Sequence, residues 1–214
     1  MQGKTYLVGV DLGYMNDHTA IAVLEKTLIW NEKTNSKTNR YNVTLLEKYA
    51  LGTPYLSIVR RVAGLMASPA LLPDPELVMD TSGLGQPVYQ MMRDAGLCPR
   101  GITITSGATS KQDEDGNYNV PRNELLGNVL MKLETDCLKI ADMELTPDIQ
   151  RELEALRLRV KTRRDVIDSN EHDDLVMAVA LPLWYASQYD HYVDDLLDDG
   201  GNQTLSDWNP LQGY

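Results

Sequence analysis

Val8-Gly9-Val10-Asp11-Leu12-Gly13 is the stretch that decides the fold. Together with Tyr6 and Leu7 it makes a short apolar run that stops at an aspartate and a glycine. It reads as a buried strand over 6–10 that enters a turn. A second apolar run with β-branched residues, 19–24, lies close enough to return as its hairpin partner. Residues 31–40, NEKTNSKTNR, are polar and turn-rich and are expected to form an exposed loop. Residues 41–49 alternate weakly and predict a third strand.

Further along, Leu56, Val59, Val62, Ala63 and Met66 share one face of a helix over 55–66. Prolines 69, 73 and 75 punctuate the loop that follows. Residues 76–79 predict a short strand ending on Asp80, followed by the turn Thr81-Ser82-Gly83-Leu84-Gly85. A helix over 87–95 stops at Gly96, and 101–105 is another strand. Residues 106–120 are polar and are expected to form a long loop. Amphipathic helices are expected over 123–134 and 146–158, then a strongly apolar one over 171–189. Pro182 either kinks that last helix or has its lost hydrogen bond absorbed by packing. The order β-β-β-α-β-α-β-α-α-α predicts an α/β fold, a mixed sheet with helices on both faces. Residues 1–189 form the domain in this reading, and 190–214 form a solvated acidic tail.

Composition narrows the function classes. The 214 residues are 43% hydrophobic and 24% charged, which is globular rather than disordered. No apolar run approaches the ~20 residues that span a bilayer, and the first residues lead into a strand rather than a signal peptide. Cys98 and Cys137 have neither disulfide-scaffold nor zinc-site spacing, so a cytoplasmic location is expected. The net charge of −11 opposes a polyanionic partner, but it is unevenly spread. Asp190, Asp194, Asp195, Asp198, Asp199 and Asp207 fall in the last segment, which holds no Lys or Arg. Arg151, Arg157, Arg159, Lys161, Arg163 and Arg164 form a basic stretch against only Glu152 and Glu154. Gly107-Ala108-Thr109-Ser110-Lys111 is not a phosphate-cradling loop, so no ATP binding is expected.

Three carboxylate sites end apolar elements: Asp11, Asp80, and the pair Asp173-Asp174 at the start of the last helix. Singly, each is explained by a turn or by the helix dipole. As a set, with glycine-rich turns after two of them, they point to one shared site. Such a cluster is costly without a cation, and hard oxygen ligands favour Mg²⁺ or Mn²⁺ over Zn²⁺.

Three segments resemble the nuclease domain of phage terminase large subunits, an RNase H-like fold. They are Val8-Gly9-Val10-Asp11-Leu12-Gly13 through Asp17-His18-Thr19-Ala20, Val78-Met79-Asp80-Thr81-Ser82-Gly83-Leu84-Gly85, and His172-Asp173-Asp174-Leu175-Val176-Met177-Ala178. The similarity runs over most of residues 5–189. It implies a two-metal endonuclease that cuts concatemeric double-stranded DNA during viral genome packaging. Its implied partners are a terminase ATPase domain or subunit, a small terminase and a portal, with no membrane. By the resemblance Asp11 bridges two ions (Mg²⁺ or Mn²⁺), Asp80 completes one and Asp173 the other. Asp174 is a second ligand or stands behind the first, and Asp17 and His172 are candidates for supporting the site. One ion makes the nucleophile and the other stabilises the leaving 3′-oxygen. Arg122, in Val120-Pro121-Arg122-Asn123-Glu124-Leu125, stands where the family usually has Lys. It keeps the charge for a phosphate contact but not the Lys geometry. Lys111, Arg122, Lys161, Arg163 and Arg164 are the expected DNA contacts. Competing readings are a RuvC-type Holliday-junction resolvase, an actin-like phosphate-binding module, and a catalytically silent packaging module.

Overall fold

The computed structural model describes residues 4–13, 15, 17–31, 35–162 and 173–190. Strand β1 (Thr5–Asp11) pairs antiparallel with β2 (Ala20–Asn31), and β2 pairs antiparallel with β3 (Ser36–Lys48). On the other side of β1 the strands β4 (Glu76–Asp80), β5 (Arg100–Thr105) and β7 (Tyr118–Pro121) follow in parallel. The edges are β6 (Lys111–Gln112), antiparallel to β7, and β8 (Leu138–Ile140), parallel to β3. The order across the mixed sheet is β6-β7-β5-β4-β1-β2-β3-β8.

Alternation along the strands divides the core in two. Val8 and Val10 of β1, Ile21 and Val23 of β2, and Leu77 and Met79 of β4 pack with α1 (Tyr55–Met66) and α2 (Gly85–Asp94). Leu7, Ala20, Ala22, Leu24 and Val78 point the other way. They pack with α3 (Arg122–Glu134), α4 (Thr146–Thr162) and α5 (Asp174–Ser187). Helices thus cover both faces, as the sequence pattern predicts. Val10 lies level with Met79 in the β1–β4 pair, so Asp11 and Asp80 come one step later on neighbouring strands. By the two-residue period both aspartates face the α5 side.

Two stretches differ from expectation. The expected loop over 31–40 is largely strand: β3 begins at Ser36 and pairs with β2 out to Trp30 and Asn31, while residues 32–34 lie outside the described residues. Backbone ladder bonds need no apolar side chains, so a polar half-exposed hairpin hides from a hydrophobic pattern. Within 106–120 the chain turns through β6 into β7, where Val120 is buried. The Asp113 carboxylate accepts from the Asp115 and Asn117 N–H groups and closes that turn. The three-residue β8 was below what periodicity detects.

The last helix lies unusually close to β1. A Cβ on Gly9 would sit 2.6 Å from the Pro182 ring and inside contact distance of the Ala178 carbonyl oxygen. That carbonyl lies four residues before Pro182 and so lacks its helical donor. The proline therefore does its work as a packing surface, and only glycine lets the strand approach it. Gly9→Ala should overpack this contact and cost toward the upper end of about 1–3 kcal/mol. A thermal melt should show the loss equally with and without Mn²⁺; an unchanged melting temperature would contradict the tight contact.

Asp190, assigned to the tail by the sequence reading, packs into the domain. Its Oδ1 accepts from Asn39 Nδ2 at 2.8 Å and from the Tyr41 hydroxyl at 2.7 Å. Lys132 Nζ stands 2.7 Å from Oδ2, and Lys26 Nζ 3.2 Å from Oδ1. Burial alone would raise the Asp190 carboxyl, but the Lys132 and Tyr41 hydrogen bonds and both lysine charges outweigh it, so it lies below its ordinary range. Residues 191–214, the remainder of the expected tail, lie outside the described residues.

Candidate active site

Strand β1 ends on Asp11 and β4 ends on Asp80, so the sheet itself sets their backbones side by side. Helix α5 runs back along β1, with Ala178 and Pro182 against Gly9 and Tyr185 and Ala186 near Thr5 and Leu7. Its first residues therefore lie at the end of β1 where Asp11 stands. Asp173 is the residue before the helix and Asp174 its first residue; both are buried. The predicted carboxylates thus lie near enough for Asp80, Asp173 and Asp174 all to act on Asp11.

Their mutual influence is electrostatic as well as spatial. Asp11 is half-buried. Burial pushes it well above its ordinary range, and Asp80, Asp174 and Asp173 push it further, with Arg122 opposing. Asp80 is also raised by burial, against the hydrogen bonds of Ser82 and the charge of Arg122. The Ser82 N–H donates to Asp80 Oδ1 at 2.8 Å and fixes the carboxylate in an Asx turn. Gly85 is needed for the same turn, because a Cβ there would lie 2.5 Å from the Asp80 carbonyl oxygen. After Asp11, Thr19 clasps the turn: its Oγ1 accepts from Gly13 N at 3.2 Å and donates to Gly13 O at 3.1 Å.

Two cations stand among the acids. Arg122 Nη2 donates to both oxygens of Asp173, each at 2.6 Å. Lys48 Nζ lies 3.0 Å from Asp174 Oδ2 and 3.3 Å from Glu152 Oε1. Burial would lower Lys48, but Asp174 and Glu152 outweigh it and raise it, so the ammonium stays charged. Glu152 Oε2 in turn accepts the Val176 N–H at 3.0 Å, one of the open donors in the first turn of α5.

Solved structures with this architecture carry a named activity. The large terminase nuclease from thermophilic phage G20c aligns over 84% of this chain and 81% of its own, with a TM-score of 0.52 and 18% identity. The same nuclease with bound magnesium aligns over 84% and 80%, with a TM-score of 0.51 and 19% identity. The chain has the fold of a large terminase nuclease. No protein-family model and no curated protein matches the sequence.

On this terminase-nuclease fold, the donor chemistry of the site suits a hard divalent cation: oxygen ligands only, in excess over the nearby cations. The buried Asp174 Oδ2 has no aligned hydrogen-bond donor, although Lys48 stands at ion-pair distance. As placed, however, no three acidic, histidine or cysteine side chains among the described residues form a ready metal cage. Asp173 is turned to Arg122 instead.

The other predicted residues fall into three groups. Asp17 is exposed in the β1–β2 turn, and its carbonyl packs beneath Gly13. Lys111 is exposed on the edge strand β6, and Lys161 is in the last turn of α4. His172, Arg163 and Arg164 lie outside the described residues. Sequence reasoning missed Lys48 and Glu152. Glu152 did leave a signal: it lies on the same helical face as the buried Ile149, Leu153 and Leu156. A charge on an apolar stripe needs a buried partner.

Proposed function

We propose that this chain is a divalent-metal-dependent endonuclease acting on the phosphodiester backbone of double-stranded DNA. The carrying observation is the meeting of Asp11, Asp80, Asp173 and Asp174 at one end of the sheet, each brought there by the end of a different element or the start of α5. Asp11 and Asp80 offer oxygens from the two neighbouring strands, and Asp174 offers from the helix the oxygen that Lys48 faces at ion-pair distance. Asp173 would join them by exchanging Arg122 for an ion. Mg²⁺ or Mn²⁺ bound there, in the proposal as a pair, supplies an activated water and a counter-charge for the leaving 3′-oxygen.

Without cations the acidic cluster repels DNA, so metal loading and substrate binding go together. Arg122, beside the carboxylates, offers a planar pair of donors to a backbone phosphate. Lys111, Lys161, Arg163 and Arg164, with the exposed Arg151 and Arg157 of α4, are the proposed path for the rest of the duplex. Contacts of that kind read phosphate rather than base and weaken steeply with salt. The resemblance and the shared fold support a place in viral DNA packaging beside an ATPase, a small terminase and a portal. Residues 190–214 remain the proposed boundary of an acidic tail, with Asp190 as its anchored first residue. Among the described residues no helix is long and apolar enough to cross a membrane.

The test is plasmid nicking by the purified chain. Supercoiled DNA should be converted to open-circular and linear forms with Mn²⁺ or Mg²⁺ and left intact in EDTA, with little sequence preference. Cleavage that persists in EDTA, or none with either metal, would defeat the proposal.

A further inference from the structure

We propose that Lys48, braced by Glu152, is a positioning residue that holds Asp174 in place as a metal ligand. The inference rests on the reading of the aspartates as a cation site. Three observations converge on it. Lys48 is the last residue of β3, so its backbone is fixed by the β2 ladder, Ala20 opposite Lys48. Its Nζ lies 3.0 Å from Asp174 Oδ2 and 3.3 Å from Glu152 Oε1, with the two carboxylate side chains almost wholly buried. Glu152 is itself held at its other oxygen by the Val176 N–H. The ammonium is thus pinned between a strand end, a buried carboxylate on α4 and the first turn of α5.

Asp173 and Asp174 differ in what their partners leave available. Arg122 Nη2 engages both oxygens of Asp173. Lys48 approaches one oxygen of Asp174 at ion-pair distance and leaves that oxygen without an aligned hydrogen bond. Asp174 is therefore restrained in direction while keeping lone pairs for an ion. Lys48 and Glu152 carry opposite charges, so replacing both together leaves the net charge of the site unchanged. What the replacement removes is orientation, the property that outer partners of metal ligands supply.

This charge balance allows a clean experiment. The full chain, stripped of metal, is titrated with Mn²⁺ in a calorimeter as wild type, Asp80→Asn and the double variant Lys48→Met/Glu152→Gln. The double variant keeps the net charge of the site and removes only the brace. It should bind Mn²⁺ roughly tenfold or more weakly, the usual cost of losing such a partner. In nicking assays its half-saturating Mn²⁺ should rise while KM for DNA stays near wild type, a split that a general loss of structure does not produce. If Asp80→Asn binds Mn²⁺ as wild type does, the cation-site reading itself fails. If Asp80→Asn loses binding while the double variant binds as tightly as wild type or tighter, Lys48 does not position Asp174 and this inference alone fails. Should the double variant not melt cooperatively, Lys48→Arg decides. It keeps the charge and changes the geometry, so it should bind Mn²⁺ more weakly than wild type; equal or tighter binding overturns the proposal.

Discussion

Asp11→Asn should abolish metal-dependent nicking while leaving a folded protein, with no product above that seen in EDTA. Asp11 stands at the centre of the acidic cluster, with Asp80, Asp173 and Asp174 all acting on its carboxyl. In the proposed cation site, losing its charge removes one of the oxygen ligands. The same change relieves their repulsion, so in EDTA the variant should melt at or above wild type. Inactivity together with undiminished stability separates a ligand from a structural aspartate, whose loss lowers both. Full activity in purified Asp11→Asn would remove Asp11 from the site.

Asp190→Ala should be the most destabilising of the changes considered. It leaves Lys26 and Lys132, each over the Tyr41 ring, without their shared counter-ion; their side chains are 18% and 12% exposed. Breaking a buried pair by removing one partner costs about 3–5 kcal/mol. At ~2–4 °C per kcal/mol for a domain of this size, the melting temperature should fall by roughly 10 °C. The pH dependence has a definite sign. The folded carboxyl lies below its ordinary value, so its contribution is complete above the unfolded pKa, about 3.9. It is lost as pH falls through the folded value. The gap between wild type and Asp190→Ala should therefore be full at neutral pH and close in acid. A constant gap from pH 7 to pH 3 would mean that lost packing, not the ion cluster, explains the effect.

Much of the site was legible because strand ends and helix starts are sharp in sequence. Asp11 closes an apolar run before a glycine, Asp80 does the same, and Asp173 opens the most apolar helix. In the structure Asp11 and Asp80 end neighbouring strands, and Asp173 and Asp174 lie near enough to act on the Asp11 carboxyl. Their partners were less visible for physical reasons. Lys48 lies at the end of a weakly alternating strand, and its role depends on α4 and α5, more than a hundred residues away in sequence. For Arg122 the resemblance implies a phosphate contact, but its pairing with Asp173 depends on a residue 51 positions away and leaves no local signal. Asp190 was read as tail because five more aspartates follow it, and composition carries no information on the two lysines that surround it. Pro182 was legible only as a problem; Gly9, on a different element, is the other half of its solution.

The shared cation site is tested most directly by melting wild type and Asp80→Asn with and without Mn²⁺. Asn keeps an oxygen to accept from the Ser82 N–H, so the Asx turn survives the change. Divalent cation at 100 times its dissociation constant stabilises wild type by about 2.7 kcal/mol. That should raise its melting temperature by several degrees, at ~2–4 °C per kcal/mol. Asp80→Asn should melt no lower than wild type in EDTA and gain much less from Mn²⁺. A variant that melts lower than wild type in both buffers, with the full wild-type response to Mn²⁺, would contradict a cation site built on Asp80.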